Sequence, residues 1–99
     1  MGGDNLPQPG EGPSKESREQ GNYDVLFFAD FDEGSIEARV TGDMDPGYGS
    51  TSKMIAESAL CLIQDCEDLS GGMYTPAPAM GDKLIKRLTK NAGLTFDIL

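Results

Sequence analysis

The centre of the sequence is a glycine-rich segment, Asp45-Pro46-Gly47-Tyr48-Gly49-Ser50-Thr51-Ser52-Lys53, which runs directly into Met54-Ile55-Ala56-Glu57-Ser58-Ala59-Leu60. This pattern predicts a loop followed by an amphipathic helix, with hydroxyl residues clustered where the helix begins. Backbone N–H groups at a helix start lack partners within the helix and carry partial positive charge. Such a loop can hold an anion, or Ser50 or Thr51 can simply cap the helix.

Both interpretations of this loop stay open at the level of the sequence. It is not a Walker A loop, because no Gly-Lys-Ser/Thr follows a suitably spaced glycine, and it lacks the third glycine of a dinucleotide fingerprint. Asp43 and Asp45 would also repel a phosphate. Under the ligand interpretation, the anion or substrate loop consists of Gly47, Tyr48, Gly49, Ser50, Thr51 and Lys53.

The composition excludes several classes of function. The 17 Asp and Glu residues against 8 Lys and Arg give a net charge of −9, which disfavours nucleic acid and anionic membranes as partners. No apolar run reaches the roughly 18 residues of a membrane span. The chain has no histidine and 2 cysteines, so it cannot complete a zinc cage, and we expect no metal. The cysteines, Cys61 and Cys66, are expected to be reduced thiols in an intracellular, cytoplasmic protein, with Cys61 packed as a small hydrophobe.

Period-two alternation predicts three β-strands. The first covers residues 23–31, the second covers 36–41 and the last covers 94–98. The short segment Asp32-Glu33-Gly34-Ser35 between the first two strands predicts a turn, and hence an antiparallel hairpin. These strands predict a small antiparallel or mixed sheet.

Helical periodicity predicts two main helices. The first spans residues 51–64, and the second spans 76–92, with Thr75-Pro76 at its start and Gly93 as its left-handed terminator. The resulting order is strand, strand, helix, helix, strand. It favours an α+β fold with both helices on one face of the sheet.

The chain divides into two parts of unequal character. Residues 1–22 are rich in proline, glycine and charge, which predicts a flexible loop or linker, with a short helical turn over residues 14–20 as an option. Residues 23–99 form the folded part. Its helix over 51–64 is apolar around more than half of its circumference, with the stripe Ile55, Ala59, Leu62 and Ile63. A chain this small can hardly bury such a helix on two sides, which indicates a missing partner domain.

No residue is predicted to be catalytic. Asp43, Asp45 and Glu57 do not follow the ligand spacing of a calcium loop. Cys61 would be a nucleophile without a histidine to act as its base. The basic run Lys83, Lys86, Arg87 and Lys90 is typical of a solvated helix face.

Three separated segments carry a family resemblance. They are Leu6-Pro7-Gln8-Pro9-Gly10-Glu11-Gly12-Pro13-Ser14, the central loop and helix start described above, and Gly72-Met73-Tyr74-Thr75-Pro76 with Met80-Gly81-Asp82. In order and spacing they resemble the C-terminal end of the saccharopine dehydrogenase-like oxidoreductases, with the trans-acting enoyl reductases as the most similar branch. The resemblance covers nearly the whole chain.

The resemblance implies a role within a larger α/β oxidoreductase fold. In that family an N-terminal Rossmann domain binds NAD or NADP, and a second α/β domain covers it and shapes the substrate site. Residues 23–99 would then be the C-terminal fragment of the second domain, inactive alone, with the missing Rossmann domain as partner and a homo-oligomer as a further option. The resemblance places no cofactor-binding residue in this chain. Matching positions such as Asp45, Tyr48 and Glu57 look like loop and helix-packing residues.

Two further functions remain open beside the oxidoreductase fragment. The chain could be a free-standing protein-interaction module that uses the apolar helix over residues 51–64. It could also be a small anion-binding domain built on the loop at 42–53.

Overall fold

A computed structural model describes Leu6 and residues 8–99 of the chain. Its elements are α1 (Lys15–Gln20), β1 (Tyr23–Phe31), β2 (Gly34–Gly42), α2 (Gly49–Gln64), α3 (Pro76–Asn91) and β3 (Leu94–Ile98). The α+β class and the order strand, strand, helix, helix, strand after α1 are confirmed. Residues 1–5 and Pro7 of the predicted linker lie outside the described residues, as does Pro7 of the first segment used for the resemblance.

The sheet has the strand order β1-β2-β3, and both strand pairs are antiparallel. Its register places Val25 opposite Val40, and Val40 opposite Phe96. The hairpin turn is shorter than predicted, because β2 begins at Gly34, directly opposite Phe31. Strand pairing is made by backbone hydrogen bonds and does not require an apolar side chain. β2 therefore includes Gly34, Ser35 and Gly42, which the apolar alternation did not predict.

Both helices pack on one face of the sheet, as predicted. Leu88, Ala92 and Leu94 are buried at the centre of this layer, with Val40 and Met54 packed against them. A second cluster of Cys61, Cys66 and Met80 connects α2 with α3. Both cysteines are free thiols, and Cys61 is fully buried, as predicted. Burial raises the pKa of the Cys61 thiol.

The predicted apolar stripe of α2 does not face the rest of the chain. Ile55 is 71% exposed and Ile63 is 74% exposed. The inward side of α2 carries Met54, Glu57 and Cys61 instead. Two contacts with α3 hold this side of α2 inward. Cys61 packs in an apolar cluster with Met80, and Glu57 forms an ion pair with Arg87.

The ends of α3 agree with the sequence, but its course does not. Thr75 is the N-cap and Pro76 the first helical residue, and Gly93 follows the helix with φ 71°. The predicted continuous helix is interrupted at Gly81, where φ is 48° and ψ is −131°. Glycine reaches this left-handed region at little cost, so it accommodates the break.

Within the predicted linker, α1 contacts the glycine-rich loop. Ser14 caps α1 by accepting the Ser17 N–H at 3.1 Å, as the option of a short helical turn anticipated. The Asp45 N–H donates to the Arg18 carbonyl oxygen at 3.0 Å. An added Cβ at Gly21 would lie 2.7 Å from the Asp45 backbone. The division of the chain at residue 22 stays a prediction.

Candidate functional site

Asp45 organises the loop before α2. Its carboxylate Oδ2 accepts the backbone N–H of Tyr48 at 2.7 Å and that of Gly49 at 3.2 Å. Its carbonyl oxygen accepts the Ser50 N–H at 2.7 Å. The backbone N–H groups of Tyr48 and Gly49 hold the pKa of the Asp45 carboxyl below its ordinary value, because they stabilise the charged form. An internal carboxylate thus occupies backbone donors that a bound anion would use at this helix start.

The start of α2 corrects the predicted cap. Ser50 or Thr51 was expected at the N-cap, but the N-cap is Tyr48 and the helix begins at Gly49. The Tyr48 side chain makes no capping bond, and Asp45, three residues earlier, supplies the acceptor. The helix can begin this early because Gly49 has no side chain. An added Cβ there would lie 2.9 Å from the Arg18 carbonyl oxygen.

The two hydroxyl residues of the predicted ligand loop have partners inside the chain. Ser50 is fully buried, and its Oγ lies 2.7 Å from the Tyr23 phenol oxygen. Thr51 Oγ1 donates to the Pro46 carbonyl oxygen at 2.5 Å. Both side chains therefore anchor the helix start, Ser50 to β1 and Thr51 to the loop.

The other predicted loop residues are divided between a groove and the turn. Tyr48, Gly49 and Lys53 line a groove of about 460 Å³ between α1 and the start of α2, and Tyr48 is 59% exposed. Gly47 lies against the Asp45 carboxylate, which an added Cβ would approach to 3.6 Å. The structure thus brings three of the six residues to one groove, and their binding role stays a prediction. The remaining lining of this groove is Lys15, Arg18, Glu19, Met44 and Ser52.

A charged cluster that the sequence did not predict lies between α2 and α3. Arg87 Nε donates to Asp65 Oδ2 at 2.5 Å, and Nη1 donates to Glu57 Oε2 at 3.2 Å. Only 18% of the Arg87 side chain is exposed, so its assignment to a solvated basic face was wrong. The ion pair holds the pKa of the Asp65 carboxyl below its ordinary value and raises that of Arg87. Arg87 therefore joins the two helices.

The spacing of polar residues contained a signal for this cluster. Glu57 and Gln64 are seven residues apart on α2, and Arg87 and Asn91 are four apart on α3, so each pair shares one helix face. Gln64 accepts from Arg87 at 2.7 Å, and Asn91 donates to Glu57 at 3.2 Å. The sequence does not reveal which helix faces meet. The cluster positions the helices and includes the Glu57 of the segment that carries the resemblance.

An apolar groove of about 510 Å³ opens between the sheet and the helices, next to the loop. Its size lies within the range of small-molecule sites. It continues onto the outer half of the hairpin, where Phe27 is 54% exposed. Tyr23, Val25, Phe27, Val40, Pro46, Met54, Leu88, Leu94 and Phe96 line this groove.

Two kinds of feature are missing from the part of the chain that the structure describes. Leu6 and residues 8–99 contain no group of three or more His, Cys, Asp or Glu side chains that could hold a metal ion. Over the same residues, no helix combines the length and the apolar character that crossing a membrane requires.

The fold and the site define a small α+β unit with an internally capped loop and an open apolar face. The chain is similar to proteins named trans-acting enoyl reductase. It is 43% identical to one from Mycobacterium tuberculosis in an alignment of 86 residues that covers 84% of this chain. It is 39% identical to one from Mycobacterium ulcerans and 36% identical to one from Mycobacterium bovis, in alignments of 84 residues that each cover 83% of this chain.

These matches cover 20% of each relative, so the chain spans about a fifth of their length. No protein-family model matches the chain. No solved structure matches it either. The names of the relatives agree with the enoyl reductase branch of the resemblance.

Proposed function

We propose that this chain is the C-terminal part of a larger NAD(P)-dependent enoyl reductase of the saccharopine dehydrogenase-like type. In this function the chain helps to build the substrate lobe, and a Rossmann domain elsewhere in the longer protein holds NAD or NADP. The chain is inactive by itself. The similarity to trans-acting enoyl reductases over most of this chain, but only 20% of each relative, supports the proposal.

The observation that carries the proposal is the amount of surface left unburied. The accessible area is 7575 Å², whereas a compact protein of 10.6 kDa is expected to have about 5,500 Å². The radius of gyration is 16.8 Å, against about 13 Å for a compact chain of this length. The α2 stripe and the outer hairpin contribute large apolar side chains to this surface. A surface of this kind fits a part that is covered by the rest of a larger protein.

The proposed reaction assigns separate tasks to the two parts of the longer protein. Reduction of an enoyl group would add a hydride, supplied by the reduced nicotinamide in the Rossmann domain, and a proton across the carbon–carbon double bond of an unsaturated acyl substrate. This chain contributes the apolar groove between the sheet and the helices, which would hold hydrocarbon and exclude water. The Arg87 cluster and the Asp45 loop would keep the walls of that groove in position.

The same proposal names the partners. The Rossmann domain of the longer protein is the expected contact of the exposed apolar surface, and a homo-oligomer is a further option. Both cysteines are free thiols, which supports an intracellular location, because such compartments keep thiols reduced.

A free-standing interaction module is the second candidate function. The exposure of Ile55 and Ile63 on α2 favours it, because a convex apolar helix face is a typical protein contact. An anion-binding domain has less support, since the Asp45 carboxylate already accepts the N–H groups of Tyr48 and Gly49.

A chimera tests the proposed function. This chain replaces the matching fifth of the Mycobacterium tuberculosis relative, and oxidation of NADPH and NADH is followed with an enoyl acyl substrate. We expect the chimera to retain the parent's activity within about tenfold, a change of about 1.4 kcal/mol in activation free energy. The isolated chain and the truncated relative should show none. A folded but inactive chimera beside an active parent, or turnover by the isolated chain, would contradict the proposal.

Cofactor binding gives an independent measurement on the same samples. NAD⁺ or NADP⁺ should leave the thermal unfolding of the isolated chain unchanged and should stabilise the chimera, because a ligand stabilises only the folded protein that binds it. Stabilisation of the isolated chain by either cofactor would place a cofactor site in this chain and contradict the proposal.

A further inference from the structure

We propose that in the longer protein the sheet continues past β1, with an extended segment of the remaining polypeptide paired along the outer edge of this strand. This inference rests on the proposed function in one respect, because it takes the pairing segment from the longer protein. It concerns an interaction surface and the kind of partner that fits it.

The outer edge of β1 lacks most devices that protect the edge of a sheet. Within the described residues, β1 pairs only with β2. Protected edge strands are short or bulged, or carry lysine or proline. Residues Tyr23–Phe31 form nine residues of strand without lysine or proline. The register with β2 runs without a bulge from Tyr23 opposite Gly42 to Phe31 opposite Gly34.

The half of β1 nearer the hairpin turn, residues 26–31, carries large apolar side chains on both faces of the sheet. Phe27 and Phe31 lie on the helix side of the sheet and are 54% and 53% exposed. Leu26 and Phe28 lie on the opposite face and are 52% and 66% exposed. A strand that is apolar on both faces is typical of the interior of a larger sheet that is covered on both sides. We therefore expect the longer protein to supply both the strand that neighbours β1 and the layers that cover its two faces.

The area and the length of the relatives agree with such a partner. The accessible surface exceeds that of a compact protein of this mass by roughly 2,000 Å², which is more than the roughly 800 Å² that one partner contributes to a standard interface. The relatives extend far beyond the matched region, since the match covers 20% of their length. Their remaining length is sufficient to supply a strand and covering layers.

Charge disfavours a second copy of β1 as the occupant of this edge. An antiparallel pair of β1 strands centred on Phe27 would place Asp24 of each copy opposite Asp30 of the other. Like charges directly opposite one another destabilise a sheet. Asp24 already pairs with Arg39, and no ion pair of Asp30 occurs among the described residues. The edge therefore fits an apolar strand with a neutral or basic residue opposite Asp30.

Hydrogen exchange of single backbone amides tests the inference in the chimera described above. Alternate N–H groups of an edge strand point away from its neighbour. In the isolated chain, these outward amides of β1 should exchange rapidly, whereas in the chimera they should be protected at least about 100-fold more. Amides of β2 from Ala38 to Gly42 are the internal control, because this part of β2 is paired on both sides. They should be protected in both samples.

A folded chimera in which the outward amides of β1 still exchange rapidly would overturn the inference. Protection that appears in the isolated chain and rises with its concentration would overturn it too, because a second copy would then occupy the edge. Reductase activity of the chimera is measured separately. A chimera with protected amides but no activity would contradict the proposed function and support the continued sheet. An active chimera with unprotected amides would support the proposed function and contradict the continued sheet.

Discussion

Tyr23 and Ser50 are joined by a hydrogen bond of 2.7 Å that ties β1 to the first turn of α2. The Tyr23 ring also lies over Gly42, its cross-strand partner, where an added Cβ would overlap the ring. The glycine-rich loop is thus held at both ends by one tyrosine. This pairing explains why Ser50 is buried and unavailable as a helix cap.

Removing the Tyr23 hydroxyl should destabilise the chain. Tyr23→Phe leaves the buried Ser50 hydroxyl without its partner, which costs about 1–3 kcal/mol of unfolding free energy. Ser50→Ala should cost less, because the half-buried Tyr23 hydroxyl can still reach water. Urea unfolding followed by circular dichroism measures both, with Tyr74→Phe as the control at a more exposed tyrosine. Equal effects of the two Tyr→Phe changes would contradict the role of this bond.

The Asp45 carboxylate should make part of the stability depend on pH. Backbone N–H groups lower its pKa in the folded chain, so its contribution is complete above the unfolded pKa of about 4. The contribution is lost as the pH falls through the lower folded pKa. Asp45→Asn should therefore be less stable than the wild type near neutral pH, and the difference should shrink below about pH 4.

Urea titrations of wild type and Asp45→Asn across this pH range measure that difference. Asp24 and Asp65 also have lowered pKa values, but both remain in the variant, so the comparison isolates Asp45. A constant difference from neutral to acidic pH would show that the Asp45 charge does not stabilise the loop.

Arg87 should be the most important cation of α3 for stability. Arg87→Met leaves Glu57 and Asp65 without their shared partner at the contact of α2 and α3. Lys86→Met, on the exposed side of the same helix, is the matched control. We expect a clearly lower urea midpoint for the first variant and little change for the second. Equal urea midpoints for the two variants would show that the Arg87 ion pairs do not stabilise the contact between α2 and α3.

Replacing Gly93 should be costly for two reasons. Its φ of 71° disfavours any side chain, and an added Cβ would overlap the Asp43 carboxylate. Gly93→Ala is expected to lose about 1–2 kcal/mol from the backbone conformation, with a further loss from the overlap. Gly71→Ala is the control, because its added Cβ meets no atom within 4 Å. Thermal unfolding of both variants decides whether the position requires glycine.

Phosphate should leave the loop unchanged, because the Asp45 carboxylate already accepts the Tyr48 and Gly49 N–H groups. A titration with inorganic phosphate, followed by amide chemical shifts of Ser50 to Lys53, measures this directly. Saturable shifts confined to these residues would instead support the anion-binding loop, and Lys53→Met would then be expected to weaken them.

Much of the fold could be predicted from the sequence pattern alone. The three strands, both main helices and the ends of α3 were predictable, because each follows from neighbouring residues. Alternation marks β1, and the pair Thr75-Pro76 and the glycine at 93 mark the limits of α3. The N-cap of α2 was misplaced, because the acceptor comes from an aspartate outside the helix.

The amino-acid sequence by itself determined the order and type of the elements, since periodicity and end signals act over a few residues. Only the tertiary structure decided which side of α2 faces inward and which partners the Ser50 hydroxyl and the loop N–H groups have. Arg87 draws Glu57 inward, and Ser50 meets a tyrosine 27 residues away. Such choices depend on which surfaces meet in space, and apolar pattern alone assigns the stripe of α2 to a core that this chain does not contain.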